Sequence, residues 1–205
     1  TGYENYYSAM HNRLTDVYKI DLTTEEGILT ARHWLHNHLE NDATGGIANF
    51  YTNAPGGMPT LPPGTPEEGQ YVVTSWGGAN HGLTISGYHD SICWDYNNDG
   101  QYTNDIDLNG DGEITPQDWE IGGFRFANTY SGGPSFGNNG FCYMTYKSCA
   151  DPYGGGGIWD NAFHVIYTKA DCNPLLTAKI TLKHTCREQI RVRMGVTTDL
   201  TSETP

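Results

Sequence analysis

Residues 95–118 read DYNNDGQYTNDIDLNGDGEITPQD, with an acidic or amide side chain at almost every second position. Asp107, Asn109 and Asp111 stand at the first, third and fifth positions of a loop, and Gly112 follows at the sixth, where the chain must turn sharply. Glu113 then offers its carbonyl, Thr115 a hydroxyl or a water, and Asp118 a closing carboxylate at the twelfth position. Oxygen donors alternating along a loop with a permissive glycine suit a hard cation that takes about six to eight oxygens, so the stretch reads as a calcium loop. A plain acidic Asx-turn loop would need neither the glycine nor the spacing. An earlier template begins with Asp95, Asn97, Asp99, Gly100 and Gln101, but it reaches Ile106 where the closing carboxylate belongs. Its ligand set must close otherwise, with Asp105 or a shared Asp107. One calcium ion is expected, and two if the earlier template closes.

The spacing restricts the architecture. In paired helix-loop-helix modules, and in dockerins, whose loop sequence this resembles, a helix separates the two loops; here the second begins as the first ends. A dockerin arrangement therefore fails on geometry. A compact insertion inside a larger domain remains.

The 205 residues suffice for one sizeable domain and part of another. With 26 Gly and 14 Tyr against 6 Phe, the composition is turn-rich and sheet-biased rather than that of a disordered chain. A net charge of -13, which two calcium ions would bring to about -9, argues against a nucleic-acid partner, because phosphates demand a basic surface. No apolar run approaches the roughly 20 residues that span a bilayer. The sequence opens on Thr1 with no signal-peptide pattern, so an earlier segment is expected to have been removed or left out. Five cysteines, Cys93, Cys142, Cys149, Cys172 and Cys186, make disulfides an option for the pairs 142/149 and 172/186. Disulfides and millimolar calcium both point to a secreted or cell-surface protein.

Residues 1–22 show no periodicity and are expected to be extended or irregular. Thr23 with Glu26 reads as a capping box, and Ile28, Ala31, Leu35 and Leu39 follow at helical spacing as far as Asn41. His33, His36 and His38 lie on this helix without the i, i+4 pair of a helical zinc site. Residues 47–51 read as a strand, and 53–70 as a loop with five prolines. Strand patterns recur at 71–74, 83–88, 123–127, 140–146 and 162–167, predicting an α+β domain with an antiparallel sheet and one main helix. Beyond Cys172 the runs 178–184 and 189–195 alternate apolar and polar, as in a hairpin from an all-β module. The expected organisation is one domain over 1–171 with an insertion at 95–118, then the beginning of a β-sandwich over 172–205. The boundary falls near residues 171–174.

Two segments flank the insertion. Before it stands Asn80-His81-Gly82-Leu83-Thr84-Ile85-Ser86-Gly87-Tyr88, with a histidine at the head of a strand; after it stands Phe124-Arg125-Phe126-Ala127-Asn128-Thr129-Tyr130, with an asparagine at the end of one. Gly137-Asn138-Asn139-Gly140-Phe141 follows. In order and context these resemble the His and Asn blocks of papain-like cysteine peptidases, and the likeness covers most of residues 24–147. Acidic insertions between such blocks resemble those of some secreted bacterial members. The resemblance implies the antiparallel sheet or barrel half of a papain-like fold, with His81 activating a cysteine and Asn128 holding the imidazole. Its chemistry is that of a thiol, of ordinary pKa about 8.5, made a thiolate by a neighbouring imidazolium.

The likeness has limits. No Gln-x-x-x-x-x-Cys-x-x-Cys-Trp segment precedes His81, so the nucleophile and the oxyanion-hole glutamine would belong to an N-terminal Cys-bearing half of the same precursor. Cys93-Trp94 follows the histidine rather than preceding it and is not expected to be the nucleophile. Tyr130 replaces the family's tryptophan, and Asn80 its aspartate. Gly154 to Gly157 lacks the Lys-Ser/Thr of a phosphate loop. The sequence thus predicts part of a secreted, calcium-stabilised cysteine peptidase acting on a peptide or protein substrate. The alternative is a non-catalytic, calcium-binding surface, adhesive or assembly module on a peptidase-like fold.

Overall fold

The computed structural model describes residues 3–11, 13–36, 45–53, 58–129, 136–169, 172–196 and 201. Its contacts divide the chain into two units, one formed by Asn12–Asp171 and the other by Thr1–His11 with Cys172–Pro205.

The larger unit is α+β. Seven strands, β1 Leu14–Asp21, β2 Ala48–Thr52, β3 Val72–Val73, β4 His81–Cys93, β5 Ile121–Ala127, β6 Phe141–Thr145 and β7 Ala162–Thr168, form one sheet in the order β1-β7-β2-β4-β5-β6-β3. The sheet has two free ends, β1 and β3, and is not closed into a barrel. It is also mixed, because β3 runs parallel to β6. That corrects the all-antiparallel expectation: two valines cannot announce in sequence which strand they will join. The join between β2 and β7 is narrow, with Asn49 opposite His164 as its one register pair.

Helix α2, Glu25–His36, packs on the sheet through Ile28, Ala31, Trp34 and Leu35. Its cap is Thr24, whose Oγ1 accepts from the Gly27 amide at 3.1 Å; Thr23 instead donates to Asp21 Oδ1, so the cap lies one residue later than expected and, with glycine at the third helical position, is a simple cap rather than a capping box. Gly27 is dictated by packing, since a Cβ there would lie 1.6 Å from the Asp21 carbonyl oxygen. His38, Leu39 and Asn41 lie outside the described residues. In the core, Phe50, Phe124, Phe126 and Phe163 are fully buried and meet edge to face or tilted, with ring centroids 4.7 to 6.0 Å apart. Burial on this scale contributes about 1.5–3 kcal/mol per large side chain.

Two expectations fail outside the core. Residues 3–9 form helix α1, Tyr3–Ala9, where extended or irregular chain was expected, whereas 14–21 are extended as expected and form β1. β1 buries one of its eight side chains, Ile20, and so carries no amphipathic signature. Conversely, 178–184 and 189–195 form no strand; the described residues 172–196 are irregular apart from a 3-10 turn, Arg187–Gln189. The five cysteines are free thiols, so neither optional disulfide, 142/149 or 172/186, is formed. A third helix, α3 Tyr146–Ala150, follows β6 directly, its N-cap Thr145 accepting from the Ser148 amide.

Candidate functional site

His81 is the first residue of β4, and Asn128 directly follows β5. The pairing of Thr84 with Ala127 brings the head of one strand to the tail of the other. There the His81 Nε2 lies 3.0 Å from Asn128 Oδ1. Asn128 Oδ1 only accepts, so the contact requires a proton on Nε2, and in the neutral ring the lone pair is then on Nδ1. Thr129 Oγ1 donates to the Gly82 carbonyl at 2.7 Å and sits 3.4 Å from the same Nε2. His81 is 8% exposed.

The Gly137–Phe141 segment anchors Asn128. The Asn128 amide donates to the Gly140 carbonyl, Gly140 to Phe136, and Asn138 to Phe141. Gly137, at φ 52°, has no room for a side chain, because a Cβ would meet the Phe141 oxygen at 2.2 Å. The glycines noted in sequence are therefore required by the turn that holds the asparagine. Tyr130 lies outside the described residues.

Sequence periodicity did not single out Thr52. It is the register partner of His81 on β2, fully buried, and its Oγ1 has no hydrogen-bond partner. Only the pairing of β2 with β4 brings it beside the histidine.

Within the larger unit the three cysteines lie away from His81 or in closed surroundings. Cys93 ends the strand that His81 begins, 12 residues further on and at most about 40 Å away at about 3.3 Å per residue, less the shortening at the two irregularities of β4. Cys142 pairs in register with Phe126, itself opposite Ile85, two strands across and four residues along from His81. Burial pushes the Cys142 thiol up to about 12, although the backbone at Tyr143 pulls it down. Burial also raises Cys149 and, with Glu120 adding to it, Cys93.

The acidic stretch forms two similar loops. In the later one Asp107 accepts from the Gly110 and Gly112 amides, Asn109 Oδ1 from Asp111, and Asp111 Oδ1 from Glu113. In the earlier one Asp95 accepts from Asp99 and Gly100, Asn97 Oδ1 from Asp99, and Asp99 Oδ1 from Gln101. Gly100 and Gly112 have φ of 80° and 92°, where a side chain would be strained. Asp118, fully buried, accepts from the amides of Leu108, Asn109 and Thr115, and Thr115 caps the turn Pro116–Asp118. Asp105 donates its amide to Thr103 Oγ1.

Glu120 holds the position over the earlier loop that Asp118 holds over the later one. It is 1% exposed, and its two oxygens accept from the Tyr96 and Thr103 amides at 2.8 and 3.2 Å. The twelfth-position template pointed to Ile106, Asp105 or Asp107 and missed it. A closing carboxylate contributed from beyond the second loop has no fixed spacing to search for.

Among the described residues, no group of three or more His, Cys, Asp or Glu is gathered closely enough to hold a metal alone, so a cation here would also draw on asparagine and backbone oxygens. The donor set fits calcium, being all oxygen. None of the ion pairs among the described residues involves Asp118 or Glu120. Backbone amides satisfy both buried carboxylates, three on Asp118 and two on Glu120.

Tyr96 ties the insertion to the body. Its hydroxyl lies 3.0 Å from the Thr74 carbonyl, to which it donates, and 2.6 Å from Thr145 Oγ1. Lys147 Nζ donates to the Gln117 carbonyl and to Asp151, whose carboxyl burial raises despite the lysine.

Among the described residues no helix is long and apolar enough to cross a membrane. Compared with protein-family models, curated proteins and solved structures, the chain matches none.

Proposed function

We propose that this chain is the His- and Asn-bearing part of a papain-like cysteine peptidase that cleaves peptide bonds, with its nucleophilic cysteine contributed from outside these residues. The contact between His81 Nε2 and Asn128 Oδ1 carries the proposal. It fixes the ring and leaves Nδ1 as the basic atom, the arrangement required of a histidine that takes a thiol proton and later returns it to a leaving amine. The thiolate would attack the scissile carbonyl, the C–N bond would break as His81 protonates the amine, and water would hydrolyse the thioester with His81 as base. Thr129 would limit rotation of the imidazole from the Nε2 side.

Calcium belongs to the same proposal. Asp107, Asn109, Asp111 and Asp118, with the Glu113 carbonyl and Thr115, would hold one ion; Asp95, Asn97, Asp99 and Glu120, with Gln101, would hold another. Bound calcium supplies charge neutralisation and cross-links the loops to the buried carboxylates. Such an ion would stiffen the segment joining β4 to β5, and a dependence on millimolar calcium fits a secreted protein.

Intact-mass measurement of native material, with labelling by a thiol-reactive epoxide, tests the catalytic part. An associated fragment labelled on a cysteine outside these residues is expected. Native material with neither fragment nor label would refute it. The second reading, a non-catalytic surface or assembly module, is favoured by one observation: the Cys nearest His81 in sequence, Cys93, stands at the far end of its strand.

A further inference from the structure

Residues 172–196 differ from the rest of the chain in charge. They contain five of the eleven Lys and Arg but one of the 24 acids, a net +4, whereas residues 1–171 hold six cations and 21 acids, a net -15. Within the segment the charges alternate with apolar side chains. Ala178, Ile180 and Leu182 fall on one side of an extended chain, with Lys179 and Lys183 on the other; Ile190, Val192, Met194 and Val196 similarly oppose Arg191 and Arg193. The turn Arg187–Gln189 lies between the two runs. The apolar row is open to solvent, from 51% at Ile180 and Val192 to 65% at Met194 and 89% at Val196. A row of this kind marks an interaction surface, and a two-stranded hairpin is marginal in water without a cover.

We propose that the cover is the same segment of a second copy: two arms pair apolar row to apolar row and close one small β-sandwich between the copies. Area and charge favour this occupant. Burying an aliphatic side chain removes about 60–120 Å² from water, so seven of them give about 400–800 Å² per copy, against about 800 Å² per partner in a standard stable interface. Sheets packed face to face lie about 10 Å apart, which sets the two cationic rows on opposite outer faces, separated by about a Debye length at physiological salt. A nucleic acid would take the cations but leave the apolar row wet. An anionic membrane entered by that row would have the cations pointing away from it.

Sedimentation equilibrium of the full chain, in reducing buffer, tests the joint. Concentration-dependent growth from 22.6 kDa to twice that mass is expected, with amide-exchange protection of 178–184 and 190–196 rising in step. Val192→Asp with Met194→Asp should weaken association at least about 100-fold, since two unpaired charges would be buried. Arg193→Glu, on the outer row, should leave it within a few-fold. The body's thermal unfolding should be the same in both variants as in the wild type, as these side chains are exposed. A single mass of 22.6 kDa up to about 1 mM, protection independent of concentration, or a loss caused equally by Arg193→Glu would each overturn the proposal. Protection induced by a DNA oligonucleotide or by phosphatidylserine vesicles, and not by self-association, would overturn it in favour of that partner.

Discussion

Replacing Asp118 by alanine would remove a carboxylate that is fully buried and accepts three backbone amides and the Thr115 hydroxyl. Hydrogen bonds to a charged group contribute about 1.5–3 kcal/mol each. The amides freed at Leu108, Asn109 and Thr115 are partly buried and would recover some of that by hydration, so the net loss is about 3–5 kcal/mol. At about 2–4 °C per kcal/mol for a domain of this size, the melting temperature should fall by about 6–20 °C. Calcium adds a separate term. An ion at 100 times its dissociation constant stabilises by about 2.7 kcal/mol, worth roughly a further 5–11 °C to the wild type. The assay is thermal unfolding by circular dichroism, with wild type and Asp118→Ala each in chelator and in millimolar calcium. Wild type should melt higher in calcium, and the variant should melt lower and lose most of the calcium response. A variant within about 2 °C of wild type would refute the hydrogen-bond argument. An undiminished calcium response would refute Asp118 as a ligand.

Further expectations concern the His81 neighbourhood, the first loop and the thiols. Thr52→Val replaces a buried, unpartnered hydroxyl by a methyl of similar shape, so urea unfolding should show about 1 kcal/mol gained; a loss would mean that the hydroxyl has a partner in the working protein. Asn128→Ala should release the His81 ring, seen in ¹⁵N spectra as Nε2-protonated imidazole giving way to a mixture of tautomers; an unchanged spectrum would remove Asn128 from its role. Glu120→Gln should weaken binding of one terbium ion about tenfold or more and spare the other; equal loss at both ions would sink the two-loop assignment. At pH 8 iodoacetamide should label Cys172 and Cys186, which are partly exposed, and spare the buried Cys93, Cys142 and Cys149. The folded chain keeps the Cys142 proton up to about pH 12, whereas an unfolded thiol releases it near 8.5, so its contribution is intact below about pH 8.5 and declines above it by about 1.4 kcal/mol per pH unit. Denaturant titrations at pH 7.5, 9 and 10 on wild type and Cys142→Ala would show the difference, and identical pH slopes would contradict it.

Elements that carry their own periodicity were legible in sequence. Helix α2 and the buried strands β2, β4, β5 and β7 each show an apolar repeat that records a buried face; the sequence places β2, β5 and β7 within two residues, but stops β4 five residues short and carries α2 five residues past His36. His81 and Asn128 were legible as the head and tail of flanking strands. The alternating oxygens of 95–118 likewise determine two Asx-rich loops, because each turn is closed by hydrogen bonds within five residues.

Pairing was decided only in three dimensions. Periodicity tells a strand which face to bury, but not which neighbour to join. The parallel union of β3 with β6, the open sheet, the placing of Thr52 beside His81 and the reach of Glu120 to Tyr96 all depend on such joins. β1 shows no periodicity because, as an edge strand exposed on nearly every side chain, it is held by backbone pairing with β7 rather than by an apolar stripe. Residues 178–196 are the converse. Their alternation is as regular as that of any strand in the sheet, yet they form none here, because a strand exists only where another offers it hydrogen bonds and a face to cover.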